Sequence, residues 1–92
     1  MIIPISETKK GHRVWIQALA SKGVTGSHYD ITVGQDAIAI TVRPTGKRKV
    51  TQAKGGIISS ESKKITQWAR GATQARVEFT GDSLITITRL EA

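Results

Sequence analysis

The sequence predicts a small, mainly β domain of α+β type in which one βαββ unit is written twice and the two copies pack as a single body. Three observations predict it. Residues 29–42 and 75–88 each read as an alternating β-branched run, a Gly/Asp turn and a second alternating run. A short apolar run and then a short helical stretch precede each of these hairpins, the copies lying about 46 residues apart. And 92 residues support one core only, so neither copy can bury a core alone.

Taken in order, residues 1–12 read as an N-terminal arm. Ile2, Ile3 and Ile5 are apolar, Pro4 argues against a helix or a central strand, and Lys9-Lys10-Gly11 is a breaker. Residues 13–92 are the domain. Its first repeat, about 13–43, opens with a strand over residues 13–17. Ala18–Lys22 has room for one or two helical turns, and Gly23 is a natural stop. The first hairpin turns at Gly34-Gln35-Asp36, with Ile31 and Val33 on one face and Ile38, Ile40 and Val42 answering them. A connector over residues 44–55, rich in Gly and bases, is expected to be exposed and mobile.

The second repeat spans about 56–90. Ser60 is the expected N-cap, with Glu61 in the first turn and Gly71 ending the helix. Ile65, Trp68, Ala69 and Ala72 form its buried stripe, and Trp15 joins Trp68 as an expected core residue. Val77, Phe79, Ile85 and Ile87 build the last hairpin around Gly81-Asp82. Its final strand is slipped by one residue against its counterpart.

Composition narrows the function. With no cysteine, disulfides, thiolate catalysis and Cys-ligated zinc are excluded. The two histidines and scattered acids make no credible metal set, and no cofactor motif is present. His28 and Asp30 share a strand face as a base and its orienter would, and Ser60-Glu-Ser-Lys63 matches a Ser-x-x-Lys pattern. The first lacks a Cys nucleophile and the second is explained by a helix cap, so the chain reads as a binding protein and not an enzyme. No stretch approaches a membrane span, and nothing resembles a signal segment, which predicts a cytoplasmic protein.

The net charge of +7 is concentrated. Residues 43–70 carry Arg43, Lys47, Arg48, Lys49, Lys54, Lys63, Lys64 and Arg70 against one acid, Glu61, while the rest of the chain is balanced. Lysines at 47 and 49 with Arg48 on a Gly-bearing loop suit phosphate contacts. Lys63 and Lys64 fall in a first helical turn, where the dipole disfavours cations and backbone N–H groups attract anions, an arrangement that suits a nearby phosphate. Tyr29, opening a strand beside His28, is a candidate for stacking on a base.

The run Arg13-Val-Trp-Ile-Gln, then Lys22-Gly-Val-Thr-Gly-Ser-His-Tyr-Asp-Ile-Thr-Val and Ala-Ile-Ala-Ile-Thr-Val, resembles the swapped-hairpin module of AbrB- and MazE-type proteins, especially the SymE-like branch. In that family two modules from separate chains interlock into one small barrel. The resemblance covers residues 13–43 well and 56–89 loosely, and it implies a single-chain swapped-hairpin β-barrel that binds DNA through a basic face, for transcriptional control or as an antitoxin. It also implies a DNA contact for Arg13, which matches the arginine opening the family's first strand, and places Lys22 near the family's basic pair. Gly56 stands where Arg13 would repeat.

The nucleic-acid-binding set expected from charge and resemblance is therefore Arg13, Lys22, Arg43, Lys47, Arg48, Lys49, Lys54, Lys63, Lys64 and Arg70. DNA is favoured over RNA, and the protein is a monomer or homodimer. The alternatives are a protein-interaction module, pairing through residues 1–6 or an open sheet edge with an acidic or inhibited partner, and an RNA-binding SymE-like protein. The length and charge also fit a short regulator from a phage.

Overall fold

The computed structural model describes residues 1–90; the last two residues of the domain read as 13–92 lie outside them. Among the described residues, eight strands form one antiparallel sheet that curls into a nearly closed barrel, with a single α-helix. In chain order these are β1 (Ile2–Thr8), β2 (Gly11–Ile16), β3 (His28–Val33), β4 (Ala37–Arg43), β5 (Arg48–Lys49), β6 (Ile58–Ser62), α1 (Lys63–Ala69), β7 (Gln74–Thr80) and β8 (Leu84–Leu90). The sheet order is β5-β3-β4-β8-β7-β1-β2-β6. Thr51 and Ile57 exchange backbone hydrogen bonds of 2.9 and 2.7 Å between β5 and β6, which brings the two ends of that order together.

The duplication extends further than the sequence suggests. Each half is ββ-turn-ββ in the first copy and ββαββ in the second, so β1 corresponds to β5, β2 to β6, β3 to β7 and β4 to β8. The leading strand of each half crosses to the other: β1 pairs with β7, and β5 with β3. The halves also meet along β4–β8 and β2–β6. The one-residue slip in the final strand is confined to the turn. Val33 pairs with Ile38 across four intervening residues and Phe79 with Ile85 across five, so the inward faces stay in phase.

Residues 1–12 are not an arm. Ile3 and Ile5 are 4% and 6% exposed, and β1 lies inside the sheet. Pro4 is tolerated because β1 changes partners there. Residues 2–4 pair with β7 and residues 5–8 with β2, so the missing donor falls where the β2 ladder has ended. This also corrects residues 1–6 as a partner-binding segment: their backbone and inward side chains are already committed.

The connector is ordered as well. Arg48 and Lys49 pair with Tyr29 and His28, Val50 is buried, and a 3-10 turn follows at Ala53–Gly55. The first expected helix is a shorter 3-10 turn, Ala20–Lys22, stopped by Gly23 in a left-handed conformation as predicted. In α1 the cap is Ser62, not Ser60. Its hydroxyl accepts from the Ile65 N–H at 3.2 Å, and β6 runs through Ser60 and Glu61. Arg70, before Gly71, takes the left-handed closing position.

Nineteen apolar side chains fill the barrel, among them Val14, Ile16, Ile38, Ile40, Ile58, Ile65, Trp68, Ile85 and Ile87. Trp15 is not among them. It is 43% exposed, because Val14 and Ile16 point inward and the residue between them on a strand must point out. Tyr29 is 5% exposed and so cannot stack on a base.

Candidate nucleic-acid interface

The two halves diverge most where β5 replaces β1. Ile3 pairs with Ala75 on β7, and Arg48 pairs with the equivalent Tyr29 on β3, so an arginine occupies the place of a core isoleucine. In the first half the chain continues along β7 beyond that point: the Val77 N–H donates to the Met1 carbonyl at 2.7 Å. In the second half residues 44–47 must return to the end of β4, and β5 stops at Arg48. The barrel wall is therefore closed at β7–β1–β2 and interrupted between β3 and β6.

A groove of about 540 Å³ marks this interruption. Ile31 and Val33 line its β3 side, and Ser60 and Ser62 its β6 side. Arg48, Lys63, Lys64 and Glu61 stand around it. The Tyr29 hydroxyl crosses one end and donates to the Ser59 carbonyl at 3.3 Å. Burial raises the Tyr29 pKa, and the nearby Arg48 guanidinium offsets part of that rise. A second depression shares Val33 and Lys64 with the groove and adds Gln67 and Arg70. Arg48, Lys63, Lys64 and Arg70 thus border one continuous concave surface, with Lys47 and Lys49 flanking Arg48 in sequence and exposed.

The carboxylates do not neutralise it. Glu61 stands at the groove, but its ion pair, at 4.0 Å, is with Lys10 and not with Arg48, Lys63 or Lys64. Among the described residues, Arg43 is the one member of the expected set with a carboxylate partner, Asp30 at 2.8 Å. That pair occupies Asp30, while His28 Nδ1 shares a 2.8 Å hydrogen bond with the Ser27 hydroxyl, so His28 and Asp30 do not form a base and orienter.

The other expected contacts lie apart. Lys22 and Lys54 are exposed in the 3-10 turns beside the Leu19–Val50 end of the barrel. Arg13 is on the outer face of β2, half-buried, its guanidinium 5.3 Å from the Trp15 ring centre and opposite Glu61 across the ladder. The outward Trp15, with the half-buried Arg13 against its ring, is a surface feature that residue type hides and that the strict alternation around Trp15 signals. Among the described residues no group of three or more His, Cys, Asp or Glu is placed to hold a metal, and no helix is long and apolar enough to cross a membrane.

Comparison with protein-family models, with curated proteins and with solved structures finds no match.

Proposed function

We propose that the protein binds duplex DNA through its phosphate backbone and acts as a regulatory or accessory factor, in the manner the AbrB- and MazE-type resemblance implies. The observation that carries this reading is the convergence of Arg48, Lys63 and Lys64 on one groove with no carboxylate within ion-pair distance of them among the described residues. Unpaired cations on a concave surface concentrate a polyanion and release its counterions on binding. Lys47, Lys49 and Arg70 extend the strip, and Arg43, already held by Asp30, contributes less. Lys22, Lys54 and Arg13 belong to other surfaces and are peripheral contacts. Phosphate contacts of this kind fix register without reading bases.

A gel-shift series with one sequence presented as duplex DNA, duplex RNA and single-stranded RNA tests the reading. Tighter retention of duplex DNA supports it. Preference for either RNA form makes this an RNA-binding protein, and absence of any shift at low salt removes nucleic acid as the ligand.

A further inference from the structure

The interruption in the barrel lies where the line of β5, prolonged past Arg48, would place a further strand between β3 and β6. The short β5 pairs with β3 through Tyr29–Arg48, and Thr51 just beyond it pairs with Ile57 just before β6. A strand bonded on both sides holds its neighbours about 9.6 Å apart, twice the usual strand spacing. Beyond Arg48, among the described residues, Asp30–Val33 of β3 and Ser59–Ser62 of β6 continue on either side with no strand between them, the Tyr29 hydroxyl reaching across one end.

The register shows which backbone groups face the gap. Gly34 N–H donates to the Ala37 carbonyl, so residues 28, 30, 32 and 34 bond toward β4, and Ile31 and Val33 direct their N–H and C=O groups the other way. On the opposite wall Ile57 bonds toward Thr51, and the Ser59 carbonyl receives the Tyr29 hydroxyl, so Ser59 and Glu61 also face the gap. Two such edges, each about four residues long, are templates for strand addition. In the other half of the molecule the corresponding space beside β7, beyond Ile3, is filled by residues 1–2.

We propose that this gap is a strand-binding slot that takes an extended acidic peptide segment as a ninth strand, antiparallel to both β3 and β6. The ladder to Ile31, Val33 and Glu61 supplies the backbone recognition. Apolar side chains of the peptide lie over Ile31 and Val33, and its carboxylates reach Arg48, Lys63 and Lys64. The charge of the slot selects an acidic segment over a neutral or basic one. Because those three cations also belong to the proposed phosphate surface, peptide and DNA exclude each other, and an acidic partner segment acts as a competitor for DNA.

The test uses the full chain, labelled with nitrogen-15, and a capped hexapeptide of alternating valine and glutamate. Amide exchange at Ile31, Val33 and Glu61 is followed with and without millimolar peptide. Exchange slowed tenfold or more at these three amides, and about tenfold weaker binding of the same peptide N-methylated at alternate amides, is the expected result. Unchanged exchange at Ile31 and Val33 overturns the slot, and so does equal affinity for the N-methylated peptide, which would reduce the contact to charge alone. Duplex DNA retained while exchange stays unchanged removes the slot and leaves the DNA reading. Protection without any DNA retention does the reverse.

Discussion

Ile5 and Val50 hold equivalent places in the two halves of the barrel. The Ile5 N–H donates to the Thr73 carbonyl at 2.8 Å, and the Val50 N–H donates to the Ser27 carbonyl at 2.8 Å, each crossing from its own half to the strand entry of the other. Both side chains are buried. The first strand of each half is thus part of its partner's wall, and removal of one opens the core of the other.

Ile5→Ala is expected to cost about 2–5 kcal/mol, the range for a buried aliphatic truncation. Denaturant unfolding measures it. Deletion of residues 1–8 is expected to abolish cooperative unfolding, because Ile3 and Ile5 are lost together with two ladders. A truncated chain that unfolds with an unchanged midpoint would restore the arm.

The halves, the two hairpins, the buried stripe of α1 and the charge concentration were legible because each rests on a local period or on a count. The leading strands were not. β1 carries Pro4 and is followed at once by Lys9-Lys10, and β5 has two paired residues inside a Gly- and base-rich stretch, so neither has an alternation long enough to read. Their strand conformation comes from partners far along the chain, Ala75 for Ile3 and Tyr29 for Arg48. Trp15 misled for the opposite reason: residue type suggested core, whereas the period of its own strand put it outside. The candidate site was half legible. The cations were visible as a cluster, but the separation of Lys22, Lys54 and Arg13 from the groove depends on how the barrel closes.

The charge on the groove predicts the salt response of DNA binding. With about five phosphates neutralised, the logarithm of the binding constant should fall against the logarithm of salt with a slope of about −4 to −5. Filter binding or fluorescence anisotropy over a salt series measures it, and a slope near zero would count against phosphate contact.

Lys47, Arg48 and Lys49 changed together to Ala are expected to weaken that binding and reduce the slope by about 2–3. The melting temperature should change little, since all three are exposed, no carboxylate among the described residues pairs with them, and β5 is held by its backbone. A large fall in melting temperature would make the cluster structural. The Arg43→Ala variant is the contrast. It releases Asp30, so any effect on binding is mixed with the loss of an exposed ion pair of little stability value.

Tyr29 gives the fold an alkaline limit. Burial raises its hydroxyl above the ordinary value of 10.0, with Arg48 offsetting part of the rise. The folded chain therefore holds the phenolic proton more tightly than the unfolded chain. Its contribution is present in full below the ordinary value and is lost as pH rises through that value to the folded one. The advantage of the wild type over Tyr29→Phe should shrink across that window, whereas below it the variant loses about 0.5–1.5 kcal/mol with the hydroxyl bond to Ser59. Tyr29 is the sole tyrosine, so ultraviolet titration of the phenolate reads its pKa directly. Ionisation at or below 10.0 would contradict the buried placement.

The two tryptophans should behave as opposites. Trp68 is 2% exposed, its indole N–H donates to the Asp36 carbonyl at 3.2 Å, and its own carbonyl accepts from Arg89 at 3.1 Å. Truncation to Ala should cost about 3–5 kcal/mol and loosen the contact between α1 and the first hairpin turn. Trp15→Ala removes an outward ring that covers the Arg13 guanidinium and should cost about 1 kcal/mol or less. Fluorescence separates them before any unfolding. With Trp68→Phe the remaining Trp15 emission should be red-shifted and readily quenched by iodide, and with Trp15→Phe the remaining Trp68 emission should be blue-shifted and protected. Equal quenching of the two would mean that β2 is turned over, with Val14 and Ile16 facing out, and the barrel could not then close.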